Sequence, residues 1–449
     1  MIRRILIVTM GLALALGPLG ARADHGDSTG VTEETITLGL HVPFSGAGGI
    51  DAQATSRGAD LYWRYLHEQL GVLIHGRRVH VVVENDSYTP STAVQKCDQM
   101  TQSTFLLLGF VGTDQITACA NYADPRGIPY LSPGVQESGL SDRTTFFALS
   151  ATWEHQSPII AQFVANVLVP NPGCCRTSGD VGGQDPPACR PLLTVPVLDV
   201  DIADPFCPET TGAATVGLVR PNTPNYDAPD DELRAALDAF GIGYRVYTVV
   251  KEGNSTEAQQ VANRMQQDGV DVVVVLTPPV FSTTLAINTG GNGYFPRYLM
   301  YGMTSGYDRV LAQTCDQGQM HGASVFSPWP AWSAVAQGEF DPHLSAAIDA
   351  YASDIDEGSR DLLVALWGLM KNVHLLLEAL GSHPARADLV ALLDEGYSHS
   401  TGVYPDFAVD EANHFGVNAV HRLEASCEGE PQFHQADAFV TGYPPPEEV

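Results

Sequence analysis

The sequence predicts two α/β lobes, each a doubly wound parallel sheet with helices packed on both faces. Strand and helix patterns alternate along most of the 449 residues and are joined by short turns. Several of the strand patterns are continuous apolar runs, as expected for strands buried on both faces of a sheet. These units are too many for one compact sheet, so the length favours two lobes.

The first half of the chain supplies the units of one lobe. Strand patterns occupy residues 35–42, 78–83 and 105–111. A stripe of apolar residues at helical spacing separates the first two strands. Thr89 is the predicted cap of the next helix, and Pro90 fits its first position because proline lacks only an N–H that would be unpaired there.

The second half repeats this alternation. Strand patterns occupy residues 215–219, 244–250 and 270–276. Residues 231–240 are predicted as a helix that Gly241 ends, and Asn254 with Glu257 fits a capping box for the following helix. A long apolar stripe over 362–377 predicts a further helix, and such stripes are typical of core packing.

Residues 170–214 interrupt the alternation. This stretch is rich in Pro, Gly and Asp and holds four of the eight cysteines, so we expect an insertion stapled by disulfides. Zinc is disfavoured by the cysteine spacing, and the aspartates are incompletely spaced for a calcium loop. The cysteines expected to form disulfides are Cys97, Cys119, Cys174, Cys175, Cys189, Cys207, Cys315 and Cys427.

The N-terminus has the features of a cleavable export signal. Arg3 and Arg4 precede an apolar core over 5–19, and the Ala21-Arg22-Ala23 pattern predicts cleavage after Ala23. The formal net charge of −29 argues against binding of nucleic acid or of anionic membrane surfaces. We therefore expect a soluble protein outside the cytoplasm, in the periplasm.

Common signatures of catalysis are missing from the sequence. It contains no G-x-S-x-G nucleophile elbow, no H-E-x-x-H zinc helix and no phosphate-binding loop. Residues 302–306 place a serine one position too late for an elbow. We therefore expect no enzyme activity, no cofactor and no metal.

Four short motifs follow one another along the chain. They are residues 43–46 (Pro-Phe-Ser-Gly) after the first strand, the spacing of Asp86, Pro90 and Ala93, residues 127–134 (Gly-Ile-Pro-Tyr-Leu-Ser-Pro-Gly), and residues 414–416 (His-Phe-Gly). In this order and at these distances, they resemble the branched-chain amino-acid-type periplasmic binding proteins of ABC transporters. The resemblance extends from about residue 35 to 439, except for the insertion.

This resemblance implies the type I fold, in which a three-strand hinge joins two lobes that close on a ligand. By matching, the first lobe comprises 31–150 and 328–403, and the second comprises 151–327 and 404–449. The implied function is to capture a small molecule and deliver it to the membrane permease of a transporter, and we expect a monomer. A ligand-sensing receptor domain of the same fold stays an open alternative.

Ligand-binding residues are expected in the turns after the strand ends, where open α/β sheets leave a crevice. Pro133 fixes a turn in which Gly134 lets a ligand approach the backbone. Tyr226 matches the ligand tyrosine of the resembling family. The candidate residues are Phe44, Ser45, Asp114, Gln115, Ser132, Gly134, Val135, Gln136, Trp153, Tyr226, Phe281, Met303 and Thr304.

Three of these positions depart from the pattern of amino-acid carriers. Gln136 stands in place of a threonine, Thr304 in place of an acid, and Asp114 stands where it would repel a ligand carboxylate. A buried ammonium group without a carboxylate is costly. We therefore expect a neutral or apolar, lipid-like ligand, such as a sterol or an aromatic compound, with an amino acid as the alternative.

The resemblance also suggests one disulfide pairing, between Cys97 and Cys119 on consecutive helices. We further expect Cys315 to pair with Cys427 in the second lobe, and the remaining four cysteines to pair within the insertion.

Overall fold

The protein is described by a computed structural model that covers all residues except 1–25, 47, 169–213, 251–252, 303–306, 313, 316–317 and 445–449. Several sequence predictions lie outside the described residues: the signal peptide, nearly all of the insertion, Met303 and Thr304, and the cysteines Cys174, Cys175, Cys189 and Cys207. The strands of the described part are β1 (Thr35–Val42), β2 (Arg78–Asn85), β3 (Leu107–Gly109), β4 (Tyr130–Ser132), β5 (Phe146–Ala148), β6 (Val216–Pro221), β7 (Tyr244–Val249), β8 (Val272–Val275), β9 (Arg297–Tyr301), β10 (Ser324–Ser327), β11 (Tyr397–His399), β12 (Phe407–Val409), β13 (Val420–Ser426) and β14 (Gln432–Val440).

The helices alternate with these strands, as the periodicity predicts. They are α1 (Ala52–Arg64), α2 (Pro90–Thr101), α3 (Thr113–Ala123), α4 (Trp153–Phe163), α5 (Asp227–Ala239), α6 (Ser255–Gln267), α7 (Pro279–Gly291), α8 (Tyr307–Ala312), α9 (Trp332–Ala336), α10 (Pro342–Tyr351), α11 (Arg360–Leu380) and α12 (Arg386–Asp394). Short π-helical turns extend α1 over Tyr65–Gln69 and α4 over Val164–Leu168.

Two large sheets organise the chain. The first has five parallel strands in the order β2-β1-β3-β4-β5, and the second has seven in the order β14-β13-β10-β9-β8-β6-β7. The second sheet is parallel from β7 to β10, and β13 and β14 close it as antiparallel strands. This mixed α/β architecture confirms the predicted fold class. Below, the first lobe and the second lobe mean these two sheets with the helices that pack on them.

The chain passes between the two sheets three times. After β5 it enters the second lobe through residues 149–152, and after β10 it returns through 328–331 to the helices that pack on the first lobe. After the β11–β12 hairpin it crosses again through 410–419 to reach β13. The backbone N–H of Ala148 donates to the carbonyl of His414 at 3.0 Å, so the third crossing lies beside the end of β5, where the first crossing begins.

Helix α11 belongs to the core of the first lobe. Residues 357–380 are long and apolar enough to span a membrane, but 72% of that apolar window is buried within the chain. The helix packs against α1, where Gly58 leaves no room for a side chain beside Leu366. The hydroxyl of Tyr404 donates to the carbonyl of Ala365 at 2.9 Å. The expected lobe boundary at 403/404 therefore falls inside a segment that packs on α11, and the lobe boundaries stay a prediction.

Two predicted helix caps differ in detail from the structure. Asn254 caps α6 by accepting the N–H of Glu257 at 3.0 Å, but the Glu257 carboxylate accepts the N–H of Val250 rather than that of Asn254. Thr89 precedes α2, but its hydroxyl donates to the carbonyl of Ser87 and does not cap the helix. The start of α2 is therefore set by Pro90 and not by a threonine cap.

Two disulfides join the described cysteines. Cys97 on α2 is bonded to Cys119 on α3 with a Cα–Cα distance of 6.1 Å, and Cys315 is bonded to Cys427 with a Cα–Cα distance of 5.3 Å. Both pairings are those expected at the sequence level. The first lies inside the first lobe, and the second ties the segment before β10 to the end of β13.

Candidate ligand-binding cleft

A cleft lies between the two sheets, at the carboxyl ends of their parallel strands. The first lobe lines it with Gly48, Tyr88, Val111, Gly112, Thr113 and Val135, and the second lobe lines it with Trp153, Tyr226, residues 275–279 and Tyr301. The cavity between the lobes is about 40 Å³, well below the roughly 300–1,000 Å³ typical of small-molecule sites. Because the two lobes touch across it, a ligand can enter only when they separate.

Trp153 forms the wall of the cleft at the first crossing. Its indole N–H donates to the carbonyl of Gly302 at 2.9 Å, and its backbone N–H donates to the carbonyl of Val135 at 2.7 Å. The indole ring stacks on the ring of Tyr226, with centroids 5.4 Å apart and planes inclined by 25°. The cleft therefore presents a fixed aromatic surface to any planar or apolar molecule.

The hydroxyl of Tyr226 reaches across to the first lobe. Burial raises the pKa of this phenol, hydrogen bonds to the side chains of Thr113 and Tyr88 oppose the rise, and the charge of Asp114 adds to it. The phenol is therefore neutral throughout the physiological range. It can donate one hydrogen bond and accept others, so it suits a hydroxyl or carbonyl oxygen of a ligand.

A second contact joins the lobes beside Tyr226. The side-chain amide of Asn225 donates to the Oδ1 of Asp114, which lies in the first turn of α3. Asn225 and Tyr226 form the turn between β6 and α5. One short turn of the second lobe therefore contacts both the first turn of α3 and the Tyr88 side chain.

A buried network positions Tyr88. Asp86 accepts the backbone N–H of Tyr88 on one oxygen, at 2.8 Å, and contacts His41 Nδ1 with the other, at 2.8 Å. His41 Nε2 lies 2.7 Å from the hydroxyl of Tyr130. Ser87 and Tyr88 both have a left-handed φ of 55°, a conformation that such contacts must hold because side chains disfavour it. These contacts hold the backbone turn at Ser87 and Tyr88 in one conformation, which directs the Tyr88 ring towards the cleft.

Tyr301 closes the floor of the cleft in the second lobe. Its hydroxyl lies 2.7 Å from the hydroxyl of Ser157, which also donates to the carbonyl of Trp153. The backbone N–H of Gly302 donates to Gln156 Oε1 at 2.9 Å. Helix α4 and the end of β9 are thus joined through buried polar groups, which holds Trp153 and Tyr301 in a fixed relation.

An acidic pair lies where the chain crosses between the lobes. Glu154 accepts the backbone N–H of Glu137 at 2.9 Å on Oε1, while its Oε2 is buried with no hydrogen-bond partner in the described residues. Burial, reinforced by the nearby charge of Glu137, raises the pKa of Glu154 to about 7 although backbone N–H groups oppose it. Glu137 in turn accepts the hydroxyl of Thr152 and lies 3.3 Å from His155 Nε2.

Three of the candidate residues line the cleft: Val135, Trp153 and Tyr226. Asp114 borders it through its contact with Asn225. Gly134 instead packs against the backbone of the first crossing, where the carbonyl of Ser150 leaves no room for a side chain.

The remaining described candidates do not line the cleft. Ser132 is buried and donates to the carbonyl of Pro133. Phe44 is half-buried and Ser45 is exposed, while Phe281 packs against Gly253 in the second lobe.

Two buried glutamines lie at the first turn of α3. Gln136 donates its amide N–H to the hydroxyl of Thr117 at 2.9 Å, and its Oε1 has no hydrogen-bond partner in the described residues. The Oε1 of Gln115 is directed at Gly112 and likewise lacks a partner there. These amides support the turn that carries Gly112 and Thr113, and direct contact of either with a ligand stays a prediction.

Most residues that line the cleft were not among the sequence candidates, including Tyr88, Thr113, Tyr301 and the Pro278-Pro279 pair. Thr113 and the prolines follow the strand patterns at 105–111 and 270–276, so these predicted strand ends could have located them, whereas no strand pattern was predicted for β9, which ends at Tyr301. Tyr88 follows the strand pattern at 78–83, but the turn that brings its ring to the cleft depends on the His41–Asp86 contact, which the sequence does not show.

Comparisons with known proteins support the fold. A sequence model of the periplasmic binding protein family matches residues 35–186. The structure aligns with the fatty acid ABC transporter substrate-binding protein from Thermomonospora curvata, with a TM-score of 0.69 and 14% identity over 93% of this chain and 95% of that one. The chain has the type I periplasmic binding protein fold.

Other proteins of this fold carry different ligands. A branched-chain amino acid ABC transporter protein from Thermus thermophilus with bound valine aligns with a TM-score of 0.67, at 14% identity, over 92% of this chain and 98% of that one. A solute-binding protein from Rhodopseudomonas palustris BisB5 in complex with 3,4-dihydroxybenzoic acid aligns with a TM-score of 0.65, at 14% identity, over 91% and 98%. No curated protein sequence matches the chain significantly. The resemblance predicted from the sequence motifs is confirmed, while the ligand is left undetermined.

Proposed function

We propose that this chain is an extracytoplasmic solute-binding protein of an ABC transporter, which closes two lobes on a small molecule and delivers it to a membrane permease. The observation that carries the proposal is the cleft itself. Side chains of both lobes meet there at the carboxyl ends of the parallel strands, where ligands of open α/β sheets bind. The match of residues 35–186 to periplasmic binding proteins supports the same function.

The cleft favours a ligand with a neutral, largely apolar body. The stacked rings of Trp153 and Tyr226 and the side chains of Val111 and Val135 offer apolar contact. Apart from the indole N–H of Trp153, which donates to the carbonyl of Gly302, the polar groups of the described lining side chains are hydroxyls, such as those of Thr113 and Tyr226. Burial of apolar area contributes roughly 25 cal/mol per Å², so a few hundred Å² would support micromolar binding after the cost of association. A sterol, another lipid-like molecule or an aromatic compound would make contacts of these kinds with the lobes further apart than in this structure, where the cavity is about 40 Å³.

The function is tested by identifying what the protein carries and whether the lobes move. Native mass spectrometry of the protein purified from its own host should show a bound small molecule, which extraction then identifies. Small-angle scattering should show a larger radius of gyration after this molecule is removed and a smaller one when it is restored. An unchanged radius at saturating ligand would contradict the closure mechanism.

A matched pair of variants localises the binding. Tyr226→Ala removes the stacking ring and the hydroxyl that reaches the first lobe, and we expect at least a tenfold loss of affinity for the extracted ligand. Tyr244→Ala removes a half-buried tyrosine on β7, outside the cleft, and is the control. Equal affinity losses in both variants would place the ligand elsewhere.

A further inference from the structure

Strand β2 forms an open edge of the first sheet. It is an outermost strand, and it pairs with β1 in an unbroken register from Arg78 to Asn85. The strand contains no proline and no lysine, the residues that commonly protect such edges from pairing. The opposite edge of this sheet, β5, is only three residues long and is buried. In the first sheet, β2 is therefore the edge that offers a long strand for further pairing.

The backbone of β2 directs alternate residues towards the open edge. The N–H of Arg78 donates at 2.9 Å to the carbonyl that precedes β1. Because these groups alternate along a strand, the N–H and C=O of Val81 and Val83 face away from β1. The N–H of Val79 also faces outward and is accepted by the ring of His67 at 2.9 Å, so the edge is covered at its start.

The side chains along this edge are partly apolar and exposed. Val82 is 38% exposed, and Val81 and Val83 are half-buried. The turn before the strand adds three further exposed apolar side chains, Leu70, Val72 and Leu73. Exposed apolar groups that lie together mark interaction surfaces, whereas single ones are ordinary. A partner at this edge would remove apolar area from water and pair the outward backbone groups.

The charged side chains of β2 fit a second copy of the same strand. Arg78 and Glu84 point to the same face, because their positions differ by an even number. In an antiparallel pair centred on Val81, Arg78 of each copy would lie directly opposite Glu84 of the other. Within one copy these groups form ion pairs with Glu68 at 3.9 Å and with Lys96 at 2.8 Å, and surface pairs of this kind contribute little.

The same register satisfies the outward backbone groups. Val81 of each copy would exchange both backbone hydrogen bonds with Val81 of the other, and the N–H of Val83 would donate to the carbonyl of Val79. Arg78 and Glu84 then form a pair without backbone hydrogen bonds, the type in which opposed side chains lie closer together. No other register of the strand places Arg78 opposite an acid.

We propose that β2 is a homodimer interface, where two copies pair in antiparallel orientation and join their first sheets into one continuous sheet. The clefts of the two copies, at the carboxyl ends of their strands, would then lie at opposite ends of that sheet. The interface involves only the edge of the first lobe, so each copy stays free to open and close. This proposal is independent of the proposed function and departs from the monomer expected from the sequence.

Sedimentation equilibrium of the full protein tests the interface. Roughly 0.15 M salt is used, because the net charge of −29 repels two copies at low salt. We expect a dimer that forms in the micromolar range. Arg78→Glu or Glu84→Arg alone places like charges opposite each other, which should raise the dissociation constant roughly tenfold. Arg245→Glu reverses an exposed charge on β7, at an edge of the second sheet, and should dimerise as wild type does.

A mixture of the two variants is the decisive measurement. When an Arg78→Glu copy pairs with a Glu84→Arg copy, opposite charges again face each other at both contacts. The mixture should therefore dimerise more tightly than either variant alone.

Three results would overturn the inference. They are a wild-type protein that stays monomeric up to roughly 100 μM, a variant Arg78→Glu that dimerises as wild type does, and a mixture no tighter than its separate components. The last two would show that the copies meet through another surface or register. None of these measurements involves a ligand, so such a failure leaves the proposed function intact.

Discussion

Glu154 should make the folded protein less stable as the pH rises, whereas a carboxylate in an ion pair makes a folded protein more stable as the pH rises. Its side chain is buried at the first crossing, and its pKa is raised from 4.5 to about 7. Between these two values the folded protein holds a proton that the unfolded chain releases. The free energy of unfolding should therefore fall as the pH rises through this window.

The size of the effect follows from the shift. A difference of 2.5 pKa units, from 4.5 to about 7, corresponds to up to about 3 kcal/mol, at roughly 1.4 kcal/mol per unit. Glu154→Gln replaces the acid with a neutral group of similar shape that stays neutral at every pH. Between pH 5 and pH 8 the free energy of unfolding should fall less in the variant than in wild type, and the difference should approach this value of about 3 kcal/mol.

Urea unfolding at pH 5, 6, 7 and 8, with the disulfides intact, measures the difference. Glu232→Gln changes an exposed glutamate on α5 and serves as the control, which should follow wild type at each pH. If Glu154→Gln shows the same pH slope as wild type, the carboxyl group is ionised at neutral pH in the folded protein and the reasoning fails.

Two further predictions concern the supports of the cleft. Replacing both Cys97 and Cys119 with serine opens a loop with a sequence separation of 22 and should reduce the free energy of unfolding by about 3 kcal/mol; unfolding midpoints within experimental error of wild type would refute this. Gln136→Ala removes the donor to the half-buried hydroxyl of Thr117 and should lower the free energy of unfolding by about 1 kcal/mol, the usual net contribution of one hydrogen bond. A tenfold loss of ligand affinity with unchanged stability would instead show that Gln136 binds the ligand directly.

The sequence predicted the fold class and most strands and helices well because their signals are local. The apolar run at 105–111 predicted a strand, although only Leu107–Gly109 pairs within the sheet. Pro90 located the start of α2, whereas Thr89 predicted a cap that the structure does not form. Periodicity and turn residues act over a few positions, so they determine the type of an element better than its ends.

The cleft was predicted less completely because it depends on contacts between distant residues. Trp153 and Tyr226 were identified by their place in the chain, and the structure stacks them. Phe281 was a candidate for the same wall, but it lies one residue beyond the Pro279-Val280 start of α7 and packs inward against Gly253. Only the start of that helix reaches the cleft, and a sequence pattern does not show which side of a first turn faces a partner lobe.

The packing of α11 on α1 has a consequence for how the protein matures. Gly58 is pressed against Leu363 and Leu366, residues that are synthesised only after the whole second sheet up to β10 has emerged. Until they arrive, α1 lacks its largest packing partner, and contacts of such long sequence separation form slowly. The core of the first lobe would thus stay incomplete until the last fifth of the chain has been synthesised, although its strands β1 to β5 are made first.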